Sequence, residues 1–587
     1  MLKLYRYLKP YLWQAILLLA TIALQVWANL QLPAMMANII NNGIMAGDLD
    51  YVWGTGVGMI GFALLGSVCA FLANFLSSWI GARITRDIRS DFFVHILSLS
   101  TAEIDNFSTA SLITRTVNDI FQVQQAIVMT LSMGLRAPLT CVLAIGQAIA
   151  TAPDMTWIIA LAVGVILGLT VLIMSIVMPK FKIIQKLADR VTLLTRENLT
   201  GLRVIRAFNN EKLEKRKFDR TNNDYSHLNA WVDVIMSLEN PLISLVFNGT
   251  TLLCVWIGIS LITKDFAYLG NMMAFMQYAI QVVMSFLFLT MLFVILPRAS
   301  VSAKRVNEVM DTKSKITWKP QTVGKPSLKP SVEFSHVDFA YSGAEEKVLH
   351  DISFVAKAGE STAFIGSTGS GKSTLINLVP RFYEATAGEI KINDINIKDY
   401  AQNDLMRRIG YVPQRGVLFE GTVKSNILFG APEASEEQLH LAARVSQSAE
   451  FIDKLDKKYD SHIAQGGTNV SGGQRQRLSI ARAIAKNPDI YIFDDSFSAL
   501  DMKTDAKLRH DLKPITKNAV TLIVAQRISS IKDAEQIIVL NQGKVVGKGT
   551  HLELLGNCKV YREIAKSQLS DQEFQQEMAR SQEENHA

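Results

Sequence analysis

The sequence predicts an α-helical membrane domain of six transmembrane helices with long cytoplasmic extensions, followed by an α/β domain organised around a phosphate-binding loop. Three observations carry that expectation. Apolar runs of about twenty residues or more recur before residue 300. From Val332 the pattern changes to short strands and helices. Gly366–Thr374 (GSTGSGKST) fits G-x-x-x-x-G-K-[ST]. The 587 residues are 49% hydrophobic and 19% charged, too apolar for an ordinary soluble enzyme. Cys69, Cys141, Cys254 and Cys558 lack metal-ligand spacing, and three lie in apolar runs, so neither a disulfide framework nor a metal cage is expected. The net charge of +7 is accounted for by a basic cytoplasmic side rather than by a nucleic-acid partner.

In chain order, Met1–Leu12 mixes Lys3, Arg6 and Lys9 with Leu and Tyr, as in a short amphipathic helix at the membrane surface. No small-residue cleavage site follows, which favours a retained segment over a signal peptide. Apolar spans fall at about 13–43, 51–81, 123–151, 155–178, 236–262 and 270–298. The connections near 44–50, 152–154 and 263–269 are short, carry Asp48, Asp50, Asp154 and Asp265, and offer only Lys264 as a base. Segments 82–122 and 179–235 are long and charged, with Lys180, Lys182, Lys186, Arg190, Arg196, Arg203, Arg206 and Lys215–Lys217 in the second. Positive charge resists translocation, so these segments and both termini belong in the cytoplasm of a multi-pass cell-membrane protein. Within 197–211, Leu202, Ile205 and Phe208 form an apolar stripe that needs a partner surface.

Arg136, Glu239, Gln277 and Gln281 stand out inside the spans. Such groups face a bundle interior or a water-filled path. Gln277 and Gln281 share a helical face and suit either a pathway lining or helix–helix hydrogen bonds, while Glu239, before Pro241, also suits the inner interface. Residues 311–330, with three prolines and five lysines, make a linker. The α/β domain covers 331–570, and the polar 571–587 tail is either a frayed helix or disordered.

The phosphate loop sits between a strand-like Ser361–Ile365 and a helix-like Leu375–Val379, the context the motif requires. Gly366, Ser367, Thr368, Gly369, Ser370 and Gly371 would wrap backbone N–H groups around phosphates at a helix N-terminus. Lys372 would reach the outer phosphates, Ser373 would bind Mg²⁺, and Thr374 closes the motif. Ile490–Asp494 (IYIFD) is a buried strand ending in a carboxylate, which places Asp494 beside the metal. Ser471-Gly472-Gly473-Gln474 opens another helix, a second anion-binding end.

The order GSTGSGKST, YVPQ (Tyr411–Gln414), VSGGQRQR, IYIFDD and SALD (Ser498–Asp501) resembles the nucleotide-binding domain of ABC transporters, with Val470 where their signature has Leu. The preceding six-span domain resembles a type IV (B-family) exporter half-transporter, and the likeness covers nearly the whole chain. It implies ATP and Mg²⁺ as cofactors and Tyr341 as the ring that stacks on adenine. It also implies Gln414 as a ligand of Mg²⁺ and water, and Ser471–Gln474 as a signature serving the nucleotide of the opposite subunit. Residues 465–470, with Gln465 where many exporters carry Glu, would touch the cytoplasmic helices, and coupling helices are expected near 105–111 and 205–213.

Two positions depart from the family pattern. Asp495 stands where a catalytic Glu is usual, and Gln526 where a His is usual. Asp is one methylene short, and Gln carries no proton to exchange. Together they resemble the degenerate-site subunit of bacterial heterodimeric multidrug exporters. The expected function is an ATP-driven exporter subunit for hydrophobic or amphipathic, cationic small molecules. Its partner, a second half-transporter, carries the catalytic Glu. A lipid or peptide exporter, a homodimeric pump, and, in a different class, an ATP-gated channel or regulatory subunit stand as alternatives.

Overall fold

The computed structural model describes residues 2–262, 268–324 and 329–584, so Lys264 and Asp265 lie outside the described residues. The chain forms two compact units. The first is Met1–His95 with Ala110–Asp311, and the second is Ile96–Thr109 with Thr312–Ala587.

Among the described residues of the chain, six helical runs are long and apolar enough to cross a membrane: Arg6–Ile44, Leu49–Ser98, Thr109–Thr151, Pro153–Thr200, Glu211–Leu261 and Leu269–Asp311. They cover the six expected spans, the fifth to within one residue of 262, and overrun most of their ends. The second helix has 50 residues, about 75 Å at 1.5 Å per residue, against about 30 Å of hydrocarbon. Its polar end stays helical because Ile80, Ile84, Ile88 and Phe92, all fully buried, continue one stripe past the apolar run. The third run relaxes into π-turns at Arg115–Asp119 and Thr130–Gly134. The fifth breaks at Leu238, because Pro241 has no N–H to give to Ser237. Glu239 opens the second half of that helix, where its charge suits the N-terminal dipole.

The N-terminal segment Leu2–Tyr11 is helical, as expected, with 3₁₀ geometry. It is tied down by ion pairing and hydrogen bonds. Lys3 Nζ meets Asp311 at 2.7 Å, while Tyr7 and Tyr11 donate to Asp91 and Asp87, each at 2.7 Å. In the first acidic turn, Asp48 accepts the Tyr51 N–H at 3.0 Å and caps the second helix.

In the second unit, a four-stranded antiparallel sheet runs Leu349–Lys357, Ser331–Phe339, Ala387–Ile392, Ile395–Asn396. The six-stranded sheet runs Lys544–Gly549, Gln536–Asn541, Ser361–Gly366, Val520–Val524, Ile490–Asp494, Ile409–Val412. It is parallel except at Lys544–Gly549. Side chains alternate between two cores: Tyr491 and Phe493 join one, Ile490 and Ile492 the other. In register, Asp494 pairs with Val524, and Gly366 with Leu540. The loops after Gly366, Val412, Asp494 and Val524 therefore leave one edge, the carboxyl ends of the parallel strands, where ligands bind in such sheets.

Three boundaries shift. Ile96–Thr109, placed by the sequence within the membrane domain, belongs to the second unit. Its short helix Thr101–Phe107 starts before the expected 105–111, and Ser108 ends it at φ 58°. The counterpart of 205–213 is Leu202–Ala207, with Leu202 and Phe208 exposed. Of the two readings open for the 571–587 tail, helix or disorder, Asp571–Glu584 is helical. Phe574 and Met578 pack into the core, and Ser581 donates to Leu552 O at 2.6 Å. These three polar-tail residues share one helical face, which a composition-based reading overlooks. In the linker, Trp318 lies under Arg381, 4.7 Å from the guanidinium carbon.

Candidate nucleotide site

The loop Gly366–Thr374 leaves its strand and enters the helix Lys372–Leu378. Two of its glycines are required by geometry. A Cβ on Gly366 would lie 2.1 Å from Leu540 O, and Gly371 sits at φ 95°. Lys372, nearly buried, folds back to donate to Gly366 O at 2.9 Å and Ser367 O at 2.8 Å. Burial lowers its pKa, and Asp495 and Asp494 oppose that shift.

Ser373 donates to Asp494 Oδ1 at 2.9 Å. Burial pushes the Asp494 carboxyl up; the Ser373 bond acts against this, and the Asp495 charge adds to it. A buried carboxylate beside a hydroxyl is a hard oxygen pair suited to Mg²⁺. That ion typically takes one or two protein ligands and fills its octahedron with phosphate and water. Among the described residues no group of three or more His, Cys, Asp or Glu forms a cage, so the donors present fit an ion carried in with phosphate.

Asp495 follows at φ 45°. Its Oδ2 accepts from Gln526 Nε2 at 2.9 Å and from Gln414 Nε2 at 3.3 Å. Burial raises its pKa, against the pull of hydrogen bonds from Gln414 and Ser498. With its nitrogen turned to Asp495, Gln414 keeps Oε1 as an acceptor for a cation. Tyr341 joins the site through its hydroxyl, 3.0 Å from Thr374 Oγ1. Its ring stands edge-on to Phe339 and Tyr383, at 4.9 and 5.3 Å between centroids.

The predicted residues thus fall into two places. Gly366–Thr374, Gln414, Asp494, Asp495 and Gln526 share the carboxyl edge of the sheet, with Tyr341 at its margin. Ser471–Gln474 heads the separate helix Gly472–Lys486 in a capping box: Gln474 N donates to Ser471 Oγ at 3.2 Å, and Ser471 N to Gln474 Oε1 at 2.9 Å. Among the described residues no hydrogen bond joins it to the phosphate loop.

Two contacts were missed from sequence. Buried Gln476 clamps the Gln414 loop, accepting from Gly416 N at 2.8 Å and donating to Pro413 O at 3.0 Å. Tyr383 donates to Asp105 Oδ2 at 2.9 Å. The only signal for Gln476 was its place in the quoted VSGGQRQR.

The model described as ABC transporter transmembrane region matches residues 15–286, and that described as ABC transporter matches 349–498. An ABC transporter ATP-binding protein of Mycobacterium tuberculosis, itself uncharacterised, is 37% identical over 96% of this chain and 97% of its own length. The chain belongs to the ABC transporters. An ATP-dependent lipid A-core flippase of Albidiferax ferrireducens is 30% identical to the transporter over 96% of this chain and 97% of the flippase. In fold the transporter matches a bacterial Atm1-family ABC exporter with ATP bound, at TM-score 0.77 and 24% identity, over 96% and 99% of the two chains. This ABC transporter is a multi-pass membrane protein with a cytoplasmic ATP-binding domain of the ATPase type.

Proposed function

We propose that this transporter is one half of a heterodimeric exporter that moves hydrophobic or amphipathic molecules, drugs among them, out across the cell membrane. Its own nucleotide site holds Mg·ATP and turns it over slowly. The observation that supports this is the Asp495 carboxylate held between Gln414 and Gln526. A general base must reach the attacking water with a free acceptor. Here one carboxylate oxygen is shared by two amides, and neither glutamine can take a proton.

Bound Mg·ATP supplies the phosphoryl group whose transfer to water drives the cycle. Toward it, Gly366–Thr374 offers backbone N–H groups, Lys372 a positive charge, and Ser373, Asp494 and Gln414 oxygen donors for the metal. Tyr341 offers a ring to adenine. Ser471–Gln474, intact and at a helix N-terminus, serves the nucleotide of the partner half-transporter, whose own Glu activates water. Similarity to a protein named as a lipid A-core flippase favours a lipid-like cargo as a second reading within the same class.

The test is to purify the full chain alone and with a candidate second half-transporter that carries the catalytic Glu, then to measure ATPase activity with and without amphipathic cargo. The lone chain should turn over slowly, and the pair at least about tenfold faster. Replacing the partner's Glu should lower the pair's rate by about a hundredfold or more. Substantial cargo-stimulated turnover by the lone chain overturns the heterodimer reading.

A further inference from the structure

A cleft of about 520 Å³ opens within the membrane unit among the first, second, third and sixth helical runs. Its walls are mostly apolar, with Leu32, Met284 and Phe288 among them, and its polar lining includes Arg136, Asn29, Gln277 and Gln281. Arg136 is the one charged residue lining it, and no carboxylate does. It lies fifteen residues before the end of the helix Leu135–Thr151, about 22 Å along the axis at 1.5 Å per residue, inside a hydrocarbon layer of about 30 Å. The guanidinium carbon stands 5.7 Å from the centre of the Phe288 ring. Among the described residues Arg136 has no ion pair, and no side-chain hydrogen bond is made by it, Asn29, Gln277 or Gln281. The π-turn Thr130–Gly134 directly precedes it and loosens the helix there.

A charge at this depth is retained where it meets a counter-charge or a water-filled path. Among the described residues Arg136 meets no counter-charge. We propose that the cargo supplies it, and that this cleft binds an anionic amphiphile. Its carboxylate or phosphate head would be held by the Arg136 fork, its apolar chain would lie on the Leu32–Met284–Phe288 wall, and Gln277 and Gln281 would serve its polar linkage. The planar guanidinium suits both oxyanions, since its paired donors match two oxygens at once. A cationic amphiphile, the charge type expected from sequence, meets only like charge in this cleft. The inference rests on the export reading above, for which the cleft would be the cargo site.

The test is binding, not transport, so that failure of the heterodimer reading cannot imitate its failure. The full chain is placed in phosphatidylcholine nanodiscs and titrated with one dansyl-tagged alkyl chain ending in a carboxylate, a phosphate monoester, a primary amide or a trimethylammonium group, corrected for empty discs. Both anions should bind at least about tenfold tighter than the amide or the ammonium. The stronger of the two identifies a fatty-acid-like or a phospholipid-like head. Arg136→Gln should bring all four within about twofold while keeping the amide affinity, and Arg136→Lys, which keeps the charge but loses the paired donors, should retain an anion preference smaller than that of wild type. Should Arg136→Gln lose amide binding as well, the comparison of Arg136→Lys with wild type decides. Equal or tighter binding of the ammonium probe by wild type, or anion preference that survives in Arg136→Gln, overturns the proposal.

Discussion

Asp494 and Asp495 are adjacent carboxylates, both buried and both pushed toward the neutral form, yet they are held for different ends. Asp494 has a hydroxyl and, close by, the Lys372 charge, which leaves it short of positive charge until a cation arrives. Its raised pKa means that the ionised form destabilises the fold at neutral pH, a penalty that disappears as acid protonates it. Asp494→Asn should therefore leave the nucleotide-free second unit as stable as wild type or more so. It should also remove the Mg²⁺-dependent part of nucleotide stabilisation, which in wild type approaches about 2.7 kcal/mol at a hundred times the Kd. Thermal melts followed by a probe in that unit, with and without Mg²⁺, check both halves. Asp495 already has its Oδ2 shared by two amide donors. In the assembled transporter Asp495→Ala should change turnover by no more than about threefold, against the hundredfold loss expected of a water-activating carboxylate. A fall as large as that from removing the partner's Glu would show that Asp495 is catalytic after all.

At the scale of elements, the C-terminal helix Asp571–Glu584 illustrates what pattern reading sees and what it does not. Its composition is polar, so its anchoring depends on three residues on one face and on what they meet. One of the groups close by is His551, whose Nδ1 lies 2.7 Å from the Tyr561 hydroxyl and whose Nε2 is 3.9 Å from Glu577. Burial lowers the His551 pKa, with Glu577 acting against it. A depressed histidine contributes stability above the unfolded value of about 6.5 and loses it as pH falls through that value, at up to about 1.4 kcal/mol per pH unit. Denaturant unfolding of the second unit should therefore weaken between pH 7 and pH 5, and less so in His551→Gln. An unchanged slope in that variant would assign the acid sensitivity to other groups. The spans, by contrast, were legible because an apolar run long enough to cross lipid has few other uses. Their ends were not, because the Ile80–Phe92 stripe continues under a charged surface. The phosphate loop was legible because its nine residues are contiguous, whereas Gln414, Asp494 and Gln526 converge only through strand register. Gln476–Gly416 spans 60 residues and Tyr383–Asp105 spans 278. Neither pair has a period or a spacing that could announce it.

In the whole molecule that last contact has the widest reach. Ile96–Thr109 packs as part of the nucleotide-binding unit, yet it is also the covalent link between the second and third helical runs. Tyr341, for which we propose an adenine-stacking role, stands edge-on to Tyr383, and Tyr383 donates to Asp105 in that link. The Tyr383 hydroxyl is pushed upward by burial first and by Asp105 second, so it stays a donor at physiological pH. A continuous set of contacts thus runs from Tyr341 to the segment that joins two membrane helices. Contiguity alone does not establish coupling, and the sign of a coupling experiment does. Tyr383→Phe keeps the ring against Tyr341 and removes only the hydroxyl. If the bond transmits, nucleotide affinity of the full chain should stay within about twofold, while cargo stimulation of ATPase in the assembled transporter falls several-fold, a coupling loss of about 1 kcal/mol. Asp105→Asn, which keeps an acceptor oxygen, should lose less. The double variant should be no worse than Tyr383→Phe alone, because both changes act on one bond. Additive losses would mean that Tyr383 and Asp105 act separately, and an unaffected cargo response would reduce the contact to a structural tie.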